Sequence, residues 1–238
     1  MKNNGFTLAE VLITLGVIGV VAAITMPTLI QKHKEQVYIT RLKQNYSIFS
    51  QALKMAELEH GAFSEWTDSN MSNLEKSQTI MKNLKPYLKI IKDCTGYGNC
   101  LSNKAIMYIH STNKTTGNMN HAQSSFGKGV LSNGTVFWIE PLEDDTKLPN
   151  NVIRAALDID LNGVDTPPNR MGEDFFYFWI TDKGIIPRGT PDSTEGQDFE
   201  DKCLNRRHAC TAWVLANQNL DYLHCPEKLG WNKASSCK

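Results

Sequence analysis

This chain of 238 residues has no excess charge of either sign: 25 Lys and Arg balance 25 Asp and Glu. With no whole-molecule field and no basic stripe, a nucleic-acid-binding role is disfavoured. None of the six cysteines is spaced C-x-x-C, so paired zinc knuckles and thioredoxin-type redox chemistry both lack their usual signature. G-x-S-x-G, H-E-x-x-H and Walker loops are missing too, which leaves catalysis without a candidate site. Gly96-Tyr97-Gly98 lacks the third glycine and the following helix of a dinucleotide site. No internal repeat is visible. What remains is 41% hydrophobic and 21% charged, a balance that supports a buried core rather than wholesale disorder. An even number of cysteines reads as disulfides, and disulfides need an oxidising compartment.

The first thirty residues offer a route to one. A polar start, Met1 to Gly5, leads through Phe6-Thr7-Leu8-Ala9-Glu10 into an apolar run from Val11 to Ile24, followed by Pro27. Phe6 to Ile30 exceeds the roughly 20 residues a spanning helix needs, provided Glu10 is tolerated. A carboxylate near hydrocarbon costs about 2.5 to 3.5 kcal/mol on insertion scales, so such an acid has a partner or a role. An ordinary secretory signal, cleaved around Val21-Ala22-Ala23, is the competing reading, and Glu10 counts against it. Gly16, Gly19, Ala22 and Ala23 permit close helix approach, while Pro27 removes a donor to the Ala23 carbonyl and predicts a bend or a looser turn.

Gly5-Phe6-Thr7-Leu8-Ala9-Glu10, with the apolar helix and Pro27 after it, resembles the prepilin N-terminus of type IV pilins and type II secretion pseudopilins. The resemblance implies cleavage after Gly5 by a prepilin peptidase, N-methylation of Phe6, and an assembly role for Glu10, which pairs with the Phe6 ammonium of a neighbouring subunit. It implies other pilin subunits, an inner-membrane platform and an ATPase as further partners. The location it implies is single-pass in the inner membrane before assembly and in a periplasmic or extracellular filament afterwards.

From Gln31 to His60, Tyr38, Leu42, Tyr46, Phe49, Leu53 and Ala56 recur every three or four residues, the stripe of an amphipathic helix that Gly61 ends. Such a stripe must pack on something downstream, most simply a sheet. A short helix is expected over 74–91, interrupted at Pro86, and strands over 105–110, 129–131, 135–140, 154–159, 175–181 and 185–186. Ser132-Asn133-Gly134 is a hairpin turn signal. The stretch 112–128 reads as a surface loop and 201–217 as a helix. The run Phe175 to Trp179 reads as alternating faces of a central strand rather than a ligand platform.

The expected disulfides are Cys94 with Cys100, Cys210 with Cys225, and Cys203 with Cys237. Cys203 and Cys210 would lie about 10 Å apart along a continuous helix, beyond the roughly 7 Å limit of a bridge. A zinc site from His208, Cys210, His224 and Cys225, or a cysteine-protease pair from Cys210 and His224, has no supporting spacing. Asp158-x-Asp160-x-Asn162-Gly163-x-Asp165 alternates oxygen side chains around a glycine and raises calcium as a cofactor. The twelfth position is Asn169 and Pro167-Pro168 forbid an exit helix, so this is not an EF-hand, and Glu173 or Asp174 would have to close the shell. The alternative is an Asx-rich turn.

The combined expectation is an α+β, pilin-like fold: a leader over 1–5, a membrane and filament-core helix over 6–30, an amphipathic continuation over 31–60, and a head over 61–238 with an antiparallel sheet and a disulfide-closed C-terminus. The function expected is that of a filament subunit, not an enzyme. Two alternatives stand beside it: a pseudopilin or minor pilin of a secretion or DNA-uptake machine, and a secreted calcium-dependent binding or hydrolytic domain behind a Sec signal.

Overall fold

The computed structural model describes residues 7–96, 106–109, 114–118, 125–142, 147–148, 151–163 and 169–238. The chain divides into two compact units, Met1–Val37 and Tyr38–Lys238. One helix, α1 (Leu8–His60), contributes to both. It runs through Pro27 without a break. Gly61 stops it: its φ of +81° is a left-handed conformation suited to glycine, and its N–H closes the last turn on the Glu57 carbonyl at 3.1 Å.

In the first unit, the side chains of α1 from Leu8 to Ile30 are exposed, apart from a half-buried Ala22. In the second unit one face of α1 is buried through Tyr38, Ile39, Leu42, Phe49, Ala52, Leu53 and Ala56, the periodicity read from the sequence. Tyr46 of that stripe is only partly buried. Its ring stacks on Phe178 at 5.6 Å, and its hydroxyl donates to the Ile185 carbonyl at 3.3 Å.

Helix α2 (Asn73–Leu84) starts at a reciprocal capping box between Ser72 and Glu75 and buries Ile80, Met81 and Leu84. Beyond the single 3-10 turn that carries Pro86, the chain becomes a strand, β1 (Ile90–Asp93), and not more helix. The β-branched pair Ile90-Ile91 suits that state. The remaining strands are β2 (Ile106–Ile109), β3 (Lys114–Asn118), β4 (Gly127–Leu131), β5 (Val136–Pro141), β6 (Lys147–Leu148), β7 (Asn151–Asp160), β8 (Asn169–Arg170), β9 (Phe175–Thr181) and β10 (Gly184–Pro187). The main sheet runs β1-β4-β5-β7-β9-β10, with β6 paired to β7, and all its pairings are antiparallel. A second sheet, β3-β2-β8, has its β2-β8 pair parallel. The expected loop over 112–128 is therefore wrong in two places, since β3 lies inside it and β4 begins before it ends. Its Asn and Gly content masked Thr115-Thr116, a β-branched pair that favours a strand.

Alternation sorts the sheet into two faces. Phe137, Ile139, Leu157, Ile159, Phe176, Phe178 and Ile180 join the buried face of α1 in the main core. Val130, Val136, Trp138, Phe175 and Tyr177 form a second cluster with Cys94. The aromatic run of β9 is thus shared between two cores, as a strand flanked by β7 and β10 requires.

Polar pins fix the helix on the sheet. Arg41 donates to the carbonyls of Leu161 and Asn133, the latter at 2.7 Å. Asn45, with no exposed surface, donates to the Arg41 carbonyl at 2.8 Å and to Thr135 Oγ1 at 3.0 Å, and accepts from Asn133 Nδ2 at 3.2 Å. The Ser132-Asn133-Gly134 turn, with Gly134 at φ +81°, is therefore the point where the β4-β5 hairpin meets α1.

The C-terminal region contains α3 (Thr194–Gln197), a π-helical turn (Glu200–Asn205) and α4 (Thr211–Asn217). The single helix expected over 201–217 does not form. Arg207 adopts φ +66° and turns the chain between the two pieces.

Asn45→Ala is predicted to destabilise the protein by about 1–3 kcal/mol, because it strands Asn133 and Thr135 groups at a buried contact. Thermal melting in detergent checks this, with the larger loss expected for Asn45→Leu.

Candidate functional site

The N-terminal segment is the first candidate. Gly5 and Phe6, the expected cleavage and methylation positions, lie outside the described residues. Glu10 lies in the first turn of α1, where it forms a capping box with Thr7. Its carboxylate accepts from the Thr7 N–H and the Thr7 hydroxyl, both at 2.8 Å, while its own N–H donates back to Thr7 Oγ1 at 3.3 Å. The T-x-x-E spacing is the signal in the sequence for this box. A carboxylate at a helix N-terminus also opposes the positive end of the helix dipole.

The other hydroxyls of the apolar segment turn inward on the backbone. Thr14 donates to the Val11 carbonyl at 3.0 Å, Thr25 to Val21 at 2.9 Å and Thr28 to Thr25 at 2.8 Å. Each polar group is satisfied within its own helix, the condition hydrocarbon imposes on a spanning segment. Gly16 and Gly19 have nothing within 4 Å of the position a Cβ would take, so a second helix has room to approach there. Among the described residues α1 is the one helix long and apolar enough to cross a membrane, and its apolar window is wholly unburied.

Comparison with known proteins agrees. Residues 1–26 match the prokaryotic N-terminal methylation motif, and residues 28–129 match a family of unknown function (DUF6613). No curated protein and no solved structure matches the chain. The N-terminus is a prepilin signal of the type IV pilin and pseudopilin class. With its long apolar helix, antiparallel sheet and C-terminal disulfides, the chain has a pilin-like α+β fold. The motif and the single apolar helix fit a single-pass membrane-anchored protein, and the motif implies assembly with other pilin subunits after peptidase processing.

The cysteines pair differently from expectation. Cys203 is bonded to Cys210, with Cα atoms 4.8 Å apart, and Cys225 to Cys237 at 5.8 Å. These replace the expected Cys210–Cys225 and Cys203–Cys237 pairs. A separation of about 10 Å between Cys203 and Cys210 holds only for a continuous helix. The turn at Arg207 folds the chain back and shortens the span to bridging distance. Both sulfurs of the zinc drawing, Cys210 and Cys225, are consumed in these bonds. Cys94 is buried, and its expected partner Cys100 lies outside the described residues.

The Asp-rich turn is the third candidate. Asp158 and Asp160 end β7, and Asp165 lies outside the described residues. Asp160 accepts from the Asn162 N–H at 3.0 Å. Asn162 Nδ2 donates to Asp174 at 2.9 Å, and Asp174 also accepts from the Arg170 N–H at 2.5 Å. Asp174 is thus engaged in holding the turn. Among the described residues, the buried oxygens Asp158 Oδ1, Asp160 Oδ2 and Asn162 Oδ1 have no hydrogen-bond partner. No group of three acidic, histidine or cysteine side chains is disposed to hold a metal among the described residues.

Burial pushes the carboxyl of Asp158 up to about 7, reinforced by Glu140 and opposed by Arg188. Asp160 is also pushed up to about 7 by burial, against hydrogen bonds from Asn162, Gly163 and Asn169 and the charge of Arg41. A folded-state value above the unfolded one near 4 means that the native state holds the extra proton. The contribution to stability is then full below about pH 4 and is lost as pH rises through about 7.

Two measurements follow. Non-reducing peptide mapping is predicted to recover Cys203 joined to Cys210 and Cys225 joined to Cys237. In chelator, stability should fall on the order of 2 kcal/mol between pH 5 and 8 on account of Asp158. Asp158→Asn should flatten that part of the melting profile, while a slope unchanged in the variant would contradict the assignment.

Proposed function

We propose that the chain is a structural subunit of a type IV pilus or a related filament. In this reading prepilin peptidase cuts between Gly5 and Phe6, Phe6 is N-methylated, and the subunit waits in the inner membrane before an assembly platform and its ATPase move it into the fibre. The observation that carries the reading is the apolar half of α1. Its side chains are exposed, its hydroxyls are satisfied internally, and its glycines are open to a neighbour. Such a surface suits lipid first and other copies of the same helix afterwards. Glu10 would then exchange its Thr7 contacts for the Phe6 ammonium of the preceding subunit, relieving a carboxylate in hydrocarbon and setting axial register. A pseudopilin or minor pilin of a secretion or DNA-uptake machine shares all these features, and copy number per filament separates the two.

Calcium binding at the Asp-rich turn is part of the same proposal. The buried free oxygens of Asp160 and Asn162 favour it, with Asp158 and Asp165 as the remaining candidate ligands. Millimolar calcium should raise the melting temperature relative to chelator, and an unchanged midpoint would leave a structural turn alone.

Glu10→Ala is predicted to leave processing and the oxidised head intact but to reduce incorporation into sheared filaments by about tenfold or more. Thr7→Val, which removes the hydroxyl contacts and keeps the carboxylate, should assemble far better than Glu10→Ala. Equal defects in the two variants would assign Glu10 to helix capping instead of register.

A further inference from the structure

The even balance of charge over the whole chain conceals a local split. Residues 76–92 carry five lysines, Lys76, Lys82, Lys85, Lys89 and Lys92, and no acid, while residues 189–201 carry five acids, Asp192, Glu195, Asp198, Glu200 and Asp201, and no base. The fold sends the two stretches to opposite edges of the main sheet. The lysine stretch runs from α2 into β1, the first strand of the order β1-β4-β5-β7-β9-β10. The acidic stretch begins two residues after β10, the last strand. The region that carries it is tied to that side, since the Tyr177 N–H donates to Thr211 Oγ1 at 3.2 Å and the Ala212 N–H to the Arg188 carbonyl at 3.0 Å. Five strand spacings, about 24 Å, separate β1 from β10. That is about three Debye lengths at physiological salt, so the two stretches cannot neutralise each other within one head.

On the lysine edge Lys82, Lys85, Lys89 and Lys92 are exposed. Lys82 and Lys85 line a groove of about 660 Å³ beside β1, together with Gln78, Met81 and Pro86. Lys85 is held by Asp93 at 3.0 Å, whereas Lys82 and Lys89 make no ion pair among the described residues. Within β1, Ile91 leaves 68% of its surface exposed. Lysines and a bulge on an edge strand block strand addition, and the register of β1 does shift between Ile90 and Lys92. That device accounts for Lys89 and Lys92. It does not account for Lys82 and Lys85, which stand on α2 and the turn after it, or for the uncovered Ile91. On the other edge Pro191, Asp192, Asp198 and Glu200 are exposed. Lys202 bridges Asp198 and Asp201 at 3.8 and 2.9 Å, and Arg206 reaches Asp201 at 3.0 Å. Asp192 and Glu200 make no ion pair among the described residues.

We infer that the heads associate head to tail, the lysine edge of one copy of this chain seated against the acidic segment 192–200 of the next. Complementary charge on two different surfaces of one chain makes a heterologous contact, and a contact of that kind repeats into an open row or helix instead of closing as a two-fold dimer. Charge supplies the steering and the choice of partner, while the exposed Ile91 and Pro191 are the apolar groups available to the contact. A second copy is favoured over a polyanion because the same chain supplies acids in equal number, and because a net charge of zero gives no long-range pull on DNA. The inference deepens the filament reading and rests on it for the place where copies meet.

The test needs no filament, so its failure and the failure of the filament reading are separate results. The full chain is reconstituted at high density in phosphatidylcholine vesicles as an equal mixture of isotopically light and heavy protein, then treated with a carbodiimide, which couples amines to carboxylates in contact. Mixed-label peptides joining the lysines of 82–92 to the acids of 192–200 are expected, and they should fall about tenfold at about 0.5 M salt. Lys82→Glu with Lys89→Glu keeps the Lys85 and Lys92 amines, and Asp192→Lys with Glu200→Lys keeps the Asp198 carboxylate. Each pair should lower the remaining links about tenfold with unchanged melting. Mixing the two variants should restore them, because the unaltered edge of one then meets the unaltered edge of the other. Links found only in single-label peptides, links from the lysine edge to other acids, or undiminished links in either variant alone would overturn the inference. So would their loss to added duplex DNA or to phosphatidylglycerol at about 0.15 M salt, which would assign the lysine edge to a polyanion or to lipid.

Discussion

The head depends on one contact, the burial of the α1 face from Tyr38 to Ala56 against the sheet. Leu42, Phe49, Leu53 and Ala56 have at most 2% of their surface exposed, and the ring of Phe49 meets that of Phe137 edge-on at 5.1 Å. Each large side chain buried there contributes about 1.5–3 kcal/mol, but that force has no direction. Direction comes from Arg41 and Asn45, which bond the backbone and side chains of the β4-β5 turn and the end of β7. The apolar stripe holds the helix on the sheet and the polar pins set where along it.

The same helix meets a different requirement in its first half. There an apolar surface stays exposed, the threonines satisfy themselves on their own backbone, and Glu10 is held by Thr7. A helix apolar enough to cross a membrane cannot leave hydroxyls unsatisfied on its surface, and the described threonines of this half are all satisfied on its own backbone. Two environments are written into one element by the change of side-chain pattern near residue 31.

Much of this was legible because it follows short-range rules. The stripe of α1, its stop at Gly61, the hairpin at Asn133-Gly134 and the alternation of β9 are periodicities or turn chemistries. What escaped depended on local departures from regularity or on distant partners. On an ideal helix Cys203 and Cys210 lie too far apart to bridge, and nothing in residues 201–217 announces a left-handed Arg207. The Thr7 capping box is written in the sequence as T-x-x-E, while an acid in an apolar run points equally to an intermolecular partner. Arg41 and Asn45 carry no local signal of their role, since their partners lie about ninety residues or more downstream. At the Asp-rich turn the oxygen spacing was plain, but sequence could not reveal that Asp174 would be spent on Asn162 and Arg170.

The central claim is that α1 begins, in the working protein, immediately after a prepilin leader. Intact-mass and N-terminal analysis of the protein isolated from its own cell envelope tests this most directly. The account predicts a chain starting at Phe6 and carrying one added methyl group on its amine. A chain starting at Ile24, as secretory cleavage would leave it, or one retaining Met1, would contradict it.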